Sequence, residues 1–327
     1  MRVTHSGLCH SDIHLWEGYF DLGAGKKANL SERGLRPPLT LGHEPLGIVV
    51  ACGEDVTEVS PGDKRLVFPW IGCGACWACK SERSDLCATP RHIGIAMPGA
   101  FATHLIVPDP RFLVDTTGLD DAFAATLACS GVTSYAAVRK LPAVTDEDWI
   151  AVIGCGGVGM TAISILRALG ISKIIACDVD DKKLDAATTL GATIGLRSDQ
   201  QGASDELARL TNGMLAGAID FVGMPRTFEV AYPRLRKGGT YVVCGLHGGE
   251  LKTPMPPIAQ RSVSIVGTFV GTLADLQATV ALAQAGKLFP QPIHIRGAAD
   301  INQAMRDLNE GKVVGRTVLD FAGMEDK

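Results

Sequence analysis

Residues 149–159 read Trp149-Ile150-Ala151-Val152-Ile153-Gly154-Cys155-Gly156-Gly157-Val158-Gly159. An apolar β-forming run enters a glycine-rich turn, and a helical pattern follows from Met160 to Leu169. A second strand, Lys173 to Cys177, then ends on Asp178. Strand, glycines, helix, strand and acid in this order make a dinucleotide fingerprint in the context it requires. The glycines permit a tight turn and let backbone amides approach a pyrophosphate, and the helix N-terminus adds partial positive charge. Asp178 lies 24 residues after Gly154. A carboxylate there accepts from both adenosine ribose hydroxyls and repels a 2′-phosphate, so NAD is expected over NADP.

The alternation continues outward. Helices are expected at 182–190 and 227–235, and strands at 218–223, 240–245 and 262–268. This pattern predicts a doubly wound parallel sheet with helices on both faces. Amphipathic helices follow at 273–285 and 301–309, and a last strand at 316–321. Upstream, short strands separated by turns predict a small β-rich, barrel-like domain. Its strands are Met1 to Thr4, Leu46 to Ala51, Lys64 to Phe68 and residues 101–107, with Gly7 and Pro61-Gly62-Asp63 as turns. Residues 21–38 read as a surface loop with one helical turn at Leu30 to Arg33. A helix is expected over 120–138.

Chemistry concentrates in the first half. Cys9-His10-Ser11-Asp12-Ile13-His14 packs a thiol, two imidazoles, a hydroxyl and a carboxylate into six residues. Alone, such a cluster reads equally as polar side chains facing water. Gly42-His43-Glu44 and Cys129, within an apolar run, give it partners. Two thiolates and one imidazole leave one position open on a tetrahedral zinc, as catalytic sites require. Cys73, Cys76 and Cys79 recur at three-residue intervals, with Cys87 nearby. Four thiols can close around one structural ion, although iron–sulfur clusters use similar runs.

The chain has 327 residues, net charge −4 and ten cysteines. That length favours two domains. The charge gives no sign of a nucleic-acid partner, and no apolar run is long enough to span a bilayer. Without a basic segment leading into an apolar one, no signal peptide is expected. The cysteines then suit metal binding in a reducing, cytoplasmic compartment.

With these motifs assembled, the chain resembles the zinc-dependent medium-chain alcohol dehydrogenases along nearly its whole length. The resemblance implies a GroES-like catalytic domain at 1–133 with its structural-zinc lobe at 73–87. It further implies a Rossmann NAD-binding domain at 134–269 and a segment, 270–327, returning to the catalytic domain, with the active site in the cleft. By this resemblance Cys9, His43 and Cys129 ligate a catalytic zinc with Glu44 beside it, and Cys73, Cys76, Cys79 and Cys87 a structural one. Asp12 holds the His43 ring, while Ser11 and His14 relay a proton. His10, Lys183 and Arg316 meet coenzyme phosphates or ribose, and Thr133 and Val158 flank the nicotinamide. Gly154, Gly156, Gly157, Gly159, Asp178, Val222 and Leu246 complete the coenzyme set. Trp16 and Trp70 line the substrate pocket, unless they are core packing.

The implied reaction moves hydride reversibly between a primary or secondary alcohol and NAD, giving aldehyde or ketone. A polyol or amino-alcohol dehydrogenase and a catalytically silent nucleotide-binding member are the alternatives. A homotetramer is expected, with a homodimer as the second choice. Three departures from the family stand out. Members usually carry further residues before the first ligand, so either Met1 is not the true start or the catalytic domain lacks an edge. Pro45-Leu46 replaces a small pair after Glu44. Residues 21–38 form a longer loop than in short-loop members.

Overall fold

The structure, a computed structural model, describes residues 1–321, 323 and 324. Residue 322 and residues 325–327, at the end of the expected C-terminal segment, lie outside the described residues. Strand β1 (Arg2–Leu8) leads into α1 (His10–Glu17), then β2 (Tyr19–Gly23), β3 (Lys26–Asn29) and a 3-10 turn at Leu30–Arg33. After β4 (Pro45–Ile48), β5 (Lys64–Val67), α2 (Trp77–Lys80) and β6 (Leu113–Val114), helix α3 (Asp121–Thr126) passes through a π-helical stretch, Leu127–Gly131, into α4 (Val132–Val138). Then follow β7 (Trp149–Ile153), α5 (Gly157–Ala168), β8 (Ile174–Asp178), α6 (Asp181–Thr189), β9 (Ile194–Arg197), α7 (Ala203–Thr211) and β10 (Leu215–Asp220). Helix α8 (Pro225–Ala231), β11 (Leu235–Val243), α9 (Met255–Arg261) and β12 (Ser264–Gly267) come next. The chain finishes with α10 (Leu273–Gln284), β13 (Ile293–Gly297), α11 (Ile301–Asn309) and β14 (Arg316–Asp320).

Contacts divide the chain into two units. One holds residues 1–18, 30–132 and 270–327, and the other residues 19–29 and 133–269. The first is built on a mixed sheet ordered β13-β14-β1-β4-β5-β6, with β1 antiparallel to both neighbours. The second carries a sheet ordered β12-β11-β10-β7-β8-β9 whose pairings are all parallel. Strands β8 and β10 are buried at every position. Sheets covered by helices on both faces require such unbroken apolar runs. At the core, Phe228 stacks on Tyr232 with centroids 4.3 Å apart, and Tyr241 meets Phe228 edge-on.

Several expectations are corrected. Gly7 is not a turn but an interior residue of β1. A β-carbon there would lie 2.0 Å from Glu44 Oε2, so the glycine serves a close approach and not a bend. Residues 101–107 form no strand. They run beside the start of β1 with one isolated bridge, Arg2 to His104, and Ile106 is largely exposed. The segment 21–38 is not all loop: its first part closes the hairpin β2–β3, which clusters with the second unit. Its two turn residues, Ala24 and Gly25, have φ of 51° and 76°, the sign that matches strand twist in a two-residue hairpin. In that unit Gly23 packs on the Gly249 backbone and Gly248 on the Asp21 carbonyl. Strands β9 and β13 and helices α7 and α9 were not foreseen from the sequence.

Electrostatics tie the second unit together at the entry to β7. The Arg236 guanidinium donates to Asp148 Oδ1 at 2.6 Å and to Oδ2 at 3.1 Å, with the Asp148 side chain 2% exposed. Burial alone would raise the Asp148 pKa, but Arg236 and the Thr145 amide outweigh it and hold the carboxyl below its usual value. A depressed pKa stabilises the fold above the unfolded-state pKa, and that contribution is lost as pH falls through the folded one. Asp148→Ala is therefore expected to cost about 2–4 kcal/mol at neutral pH, because it strands a partly buried guanidinium. The gap from wild type should shrink in acid. Thermal melts of both proteins from pH 7 to pH 3 check this.

Candidate active site

The four groups Cys9, His43, Glu44 and Cys129 are all buried, and their ligand atoms lie within 4.8 Å of one another. They arrive from three local structures, His43 and Glu44 being neighbours just before β4. Cys9 sits in extended backbone as the N-cap of α1. One turn in, Asp12 takes the Cys9 amide on Oδ2 at 3.0 Å, fixing the thiol's backbone. Asp12 Oδ1 meets His43 Nδ1 at 3.1 Å and accepts from the Gly42 amide at 3.3 Å. The other ring nitrogen, His43 Nε2, is buried without a hydrogen-bond partner. An imidazole held at Nδ1 by a carboxylate and open at Nε2 is arranged as a metal ligand.

Cys129 comes from the π-helical stretch, a local widening often found at functional sites. The Trp70 indole donates to the Ala128 carbonyl at 2.9 Å, next to that thiol. The Trp70 ring also packs on His43, centroids 5.3 Å apart. Gly131 ends the stretch, and a β-carbon there would press on Leu127 and Thr279, so α10 approaches closely.

The donor set fits zinc. Two sulfurs each about 2.3 Å from a tetrahedral ion stand roughly 3.8 Å apart. Cys9 Sγ and Cys129 Sγ are separated by 3.8 Å. The Cys129 hydrogen bond draws the Cys9 thiol well below its ordinary pKa against the opposing effect of burial, and His43 adds to it. Cys129 moves up correspondingly, through the same bond and then burial. Burial works to lower the His43 pKa, but the Asp12 carboxylate overcomes it and holds the imidazole up. Beside them Arg316 pairs with Glu44 Oε1, both side chains buried. Burial lifts the Glu44 carboxyl to about 7 although Arg316 pulls the other way.

The cysteine lobe forms a second set. Cys76 Sγ stands 3.6 Å from Cys79 Sγ and 3.8 Å from Cys87 Sγ, and Cys73 Sγ is 3.9 Å from Cys79 Sγ. These spacings suit one tetrahedral ion with no position left over. The Ala75 and Cys76 amides point at the Cys73 sulfur and bring that thiol down to about 6.

In the second unit, Gly154 leaves β7 at φ +86°. Gly156 caps α5 without any side-chain hydrogen bond, leaving the first-turn amides open to an anion. Asp178 is buried at the end of β8. Its Oδ2 accepts from the Cys155 amide at 2.6 Å, and its Oδ1 from Val179 and Asp180 at 2.7 and 3.1 Å. The carboxylate thus holds the glycine-rich turn, a bond the sequence reading missed. Thr133 Oγ1 is buried without a partner, and the Val158 carbonyl accepts from the Ser134 hydroxyl at 2.7 Å. Lys183 is half-buried on α6, Val222 half-buried after β10, and Leu246 43% exposed.

Other expected residues are less concentrated. His10 and His14 lie on one face of α1, ring centroids 5.9 Å apart, and Ser11 is half-buried on the same helix. The two tryptophans part company: Trp16 is 73% exposed, whereas Trp70 is 2% exposed and packs behind His43 and Ala128. Trp70 therefore backs the donor set from behind the His43 ring. Arg316, expected at a coenzyme phosphate, has Glu44 as its partner. No helix among the described residues is long and apolar enough to cross a membrane.

Comparisons with known proteins agree with this geometry. Residues 1–117 match the alcohol dehydrogenase GroES-like domain, and residues 157–285 the zinc-binding dehydrogenase domain. An NAD-dependent alcohol dehydrogenase of Sulfurisphaera tokodaii is 35% identical over 320 residues, 98% of this chain and 91% of the relative. An alcohol dehydrogenase of Geobacillus stearothermophilus is 30% identical over 98% of this chain and 90% of its own length. The crystal structure of an Aeropyrum pernix alcohol dehydrogenase superposes with a TM-score of 0.86 at 29% identity, covering 98% of this chain and 91% of that one. The D-arabinose dehydrogenase of Sulfolobus solfataricus superposes with a TM-score of 0.82 at 27% identity, with the same coverage. The chain belongs to the zinc-dependent medium-chain alcohol dehydrogenase family.

Proposed function

We propose that this protein oxidises a primary or secondary alcohol to an aldehyde or ketone, reversibly, with NAD as hydride acceptor. The observation that carries this reading is the meeting of Cys9, His43 and Cys129 around an open imidazole nitrogen. Zinc held by these three would supply Lewis acidity towards the substrate oxygen. NAD would supply the hydride acceptor.

The chain's own part is positioning and proton handling. Asp12 keeps the His43 proton on Nδ1 and so presents Nε2. Ser11 and His14, on the first two turns of α1, are proposed to carry the substrate proton outwards. An imidazole titrates in the range where it can pass that proton to solvent. Glu44, with Arg316 at its back, would stand beside the donor set as a further carboxyl oxygen. The four lobe cysteines would hold a second, structural zinc. The open α5 amides would take the pyrophosphate, and Thr133, Val158, Val222 and Leu246 would line the nicotinamide side. His10 and Lys183 are proposed for phosphate or ribose.

A substrate panel read by NADH absorbance, with zinc counted per chain, tests the whole. About two zincs and alcohol-dependent NADH formation are expected. Polyol turnover without simple-alcohol turnover would favour the second reading, which similarity to a D-arabinose dehydrogenase supports. For assembly we propose a homotetramer, or else a homodimer. The edge strand β12 has a single neighbour in its sheet and so offers a pairing edge. Sedimentation distinguishes these states.

Asp178→Gly tests coenzyme choice. Loss of the carboxylate removes a ribose acceptor and the repulsion of a 2′-phosphate. It also frees the Cys155, Val179 and Asp180 amides, so the turn loosens. The ratio of kcat/KM for NADP to that for NAD is expected to rise at least roughly tenfold, mostly through weaker NAD use. An unaltered ratio would remove Asp178 from the ribose site.

A further inference from the structure

Asp220, the last residue of β10, is 1% exposed and gathers six hydrogen bonds. Its Oδ1 accepts from the Val222 and Gly223 amides, both at 2.9 Å. Its Oδ2 accepts from the Thr227 hydroxyl at 2.6 Å and the Tyr241 hydroxyl at 2.8 Å. Its backbone carbonyl accepts from the Cys244 and Gly245 amides at 2.9 Å. Among the described interactions no cation pairs with this carboxylate; oriented N–H and O–H dipoles satisfy it, as a buried charge requires.

The segments it gathers have a common place in the sheet. In an open parallel sheet, ligands bind beyond the carboxyl ends of the strands, where the strand order reverses. Here the order runs β7-β8-β9 one way and β10-β11-β12 the other, so the reversal lies between β7 and β10. Asp220 ends β10 at that point, and Gly154 leaves β7 opposite it. The two turns touch: a β-carbon on Gly154 would lie 2.6 Å from Val222 Cγ2, and Phe221 approaches Gly159. On the other side, Gly223 packs on the Gly245 carbonyl. The Val222 and Gly223 carbonyls accept from the His247 and Gly248 amides at 3.1 Å.

We propose that Asp220 is the positioning residue of the coenzyme crevice, its side chain locking the 221–223 turn and its carbonyl the 244–248 loop against the glycine-rich turn. This rests on the reading of the second unit as the NAD-binding one. Oδ1 acts on the turn directly, while Thr227 and Tyr241 stop the carboxylate from rotating away. The role concerns acceptor geometry. An asparagine can offer its amide oxygen to the two turn amides and its NH2 to the two hydroxyl oxygens.

NAD titration of the zinc-loaded enzyme, followed by NADH fluorescence and steady-state kinetics, tests this. Asp220→Ala is expected to raise the NAD dissociation constant and the KM for NAD roughly tenfold or more, since two turn amides lose their acceptor. The KM for alcohol and the zinc content should stay within about twofold, because neither depends on this turn. Asp220→Asn should recover most of the loss. Leu207→Ala, a cavity in the same core, should lower the melting temperature without moving the NAD constant. If Asp220→Ala yields no folded protein, the Thr227→Ala/Tyr241→Phe double variant should still weaken NAD binding severalfold and speed exchange of the Val222 and Gly223 amides. NAD binding by Asp220→Ala equal to wild type, an equal loss in Leu207→Ala, or unchanged binding and exchange in the double variant overturns the assignment. Failure of the wild-type chain to bind NAD would instead overturn the functional reading beneath it.

Discussion

Replacing Cys9 by serine should lower alcohol turnover by at least ~10³-fold, because a neutral hydroxyl is a poor substitute for a thiolate in the zinc set. The argument is local. Cys9 Sγ stands 3.8 Å from Cys129 Sγ, the spacing of two sulfurs on one tetrahedral ion, and its thiol is held well below the usual range by the Cys129 hydrogen bond. A serine hydroxyl stays protonated at neutral pH and draws a divalent cation weakly. Asp12 would still bind the residue-9 amide and the His43 ring, so the scaffold should survive. Bound zinc is expected to fall from about two to about one per chain, the lobe ion remaining. NAD affinity should change little, since the glycine-rich turn lies in the other unit. Metal analysis, turnover and NAD titration on one preparation separate these effects. Full turnover in the serine variant would sink the catalytic assignment.

Gly159→Ala should be the most damaging small change in the second unit. The added β-carbon would sit 1.9 Å from the Gly154 carbonyl oxygen and 3.0 Å from its carbon. Both are backbone atoms of the turn, so no rotamer relieves the clash. Helix α5 must move away from the end of β7, carrying its first-turn amides off the pyrophosphate position. A shift of that kind is expected to weaken NAD binding by at least ~100-fold and to lower the melting temperature, because anion capture depends on several amides converging. Gly156→Ala supplies the contrast. Its β-carbon would meet nothing within 4 Å, and the residue lies at φ −75°, so the coenzyme-free fold should keep its stability. Melting curves and NAD titrations of the two variants give the comparison. Equal stability in both would mean that the close approach at Gly159 is not needed.

What could be read in advance follows from how each feature is encoded. The parallel sheet was legible because buried strands are apolar runs and the glycine-rich turn has its strand, helix and acid in fixed order. The cysteine lobe was legible because its ligands are close in sequence. Strands β9 and β13 are short and half-exposed, and the alternation each carries, Ile194-Gly195-Leu196-Arg197 and Ile293-His294-Ile295-Arg296, spans only four residues and gives a weak signal. The hairpin β2–β3 was hidden because its turn is Ala24-Gly25, not the asparagine-glycine pair that signals such turns. Gly7 was misread because glycine marks both bends and close approaches, and only the position of Glu44 distinguishes them. Trp70 and Asp220 act through partners distant in sequence, Ala128 and Tyr241, which no local pattern announces.

The π-helical stretch at Leu127–Gly131 bears on how this chain can vary. A regular helix advances about 100° per residue, so one residue more in a turn sets the flanking helices out of phase by that angle. Cys129 sits inside the offset. Neighbouring side chains can be exchanged for others of similar bulk without turning the thiol. A change in length by one residue between α3 and α4 would swing it off its bearing, whatever the composition. Drift in this segment is thus free in spelling and constrained in count, and alignments of distant relatives should tolerate substitutions here while refusing gaps.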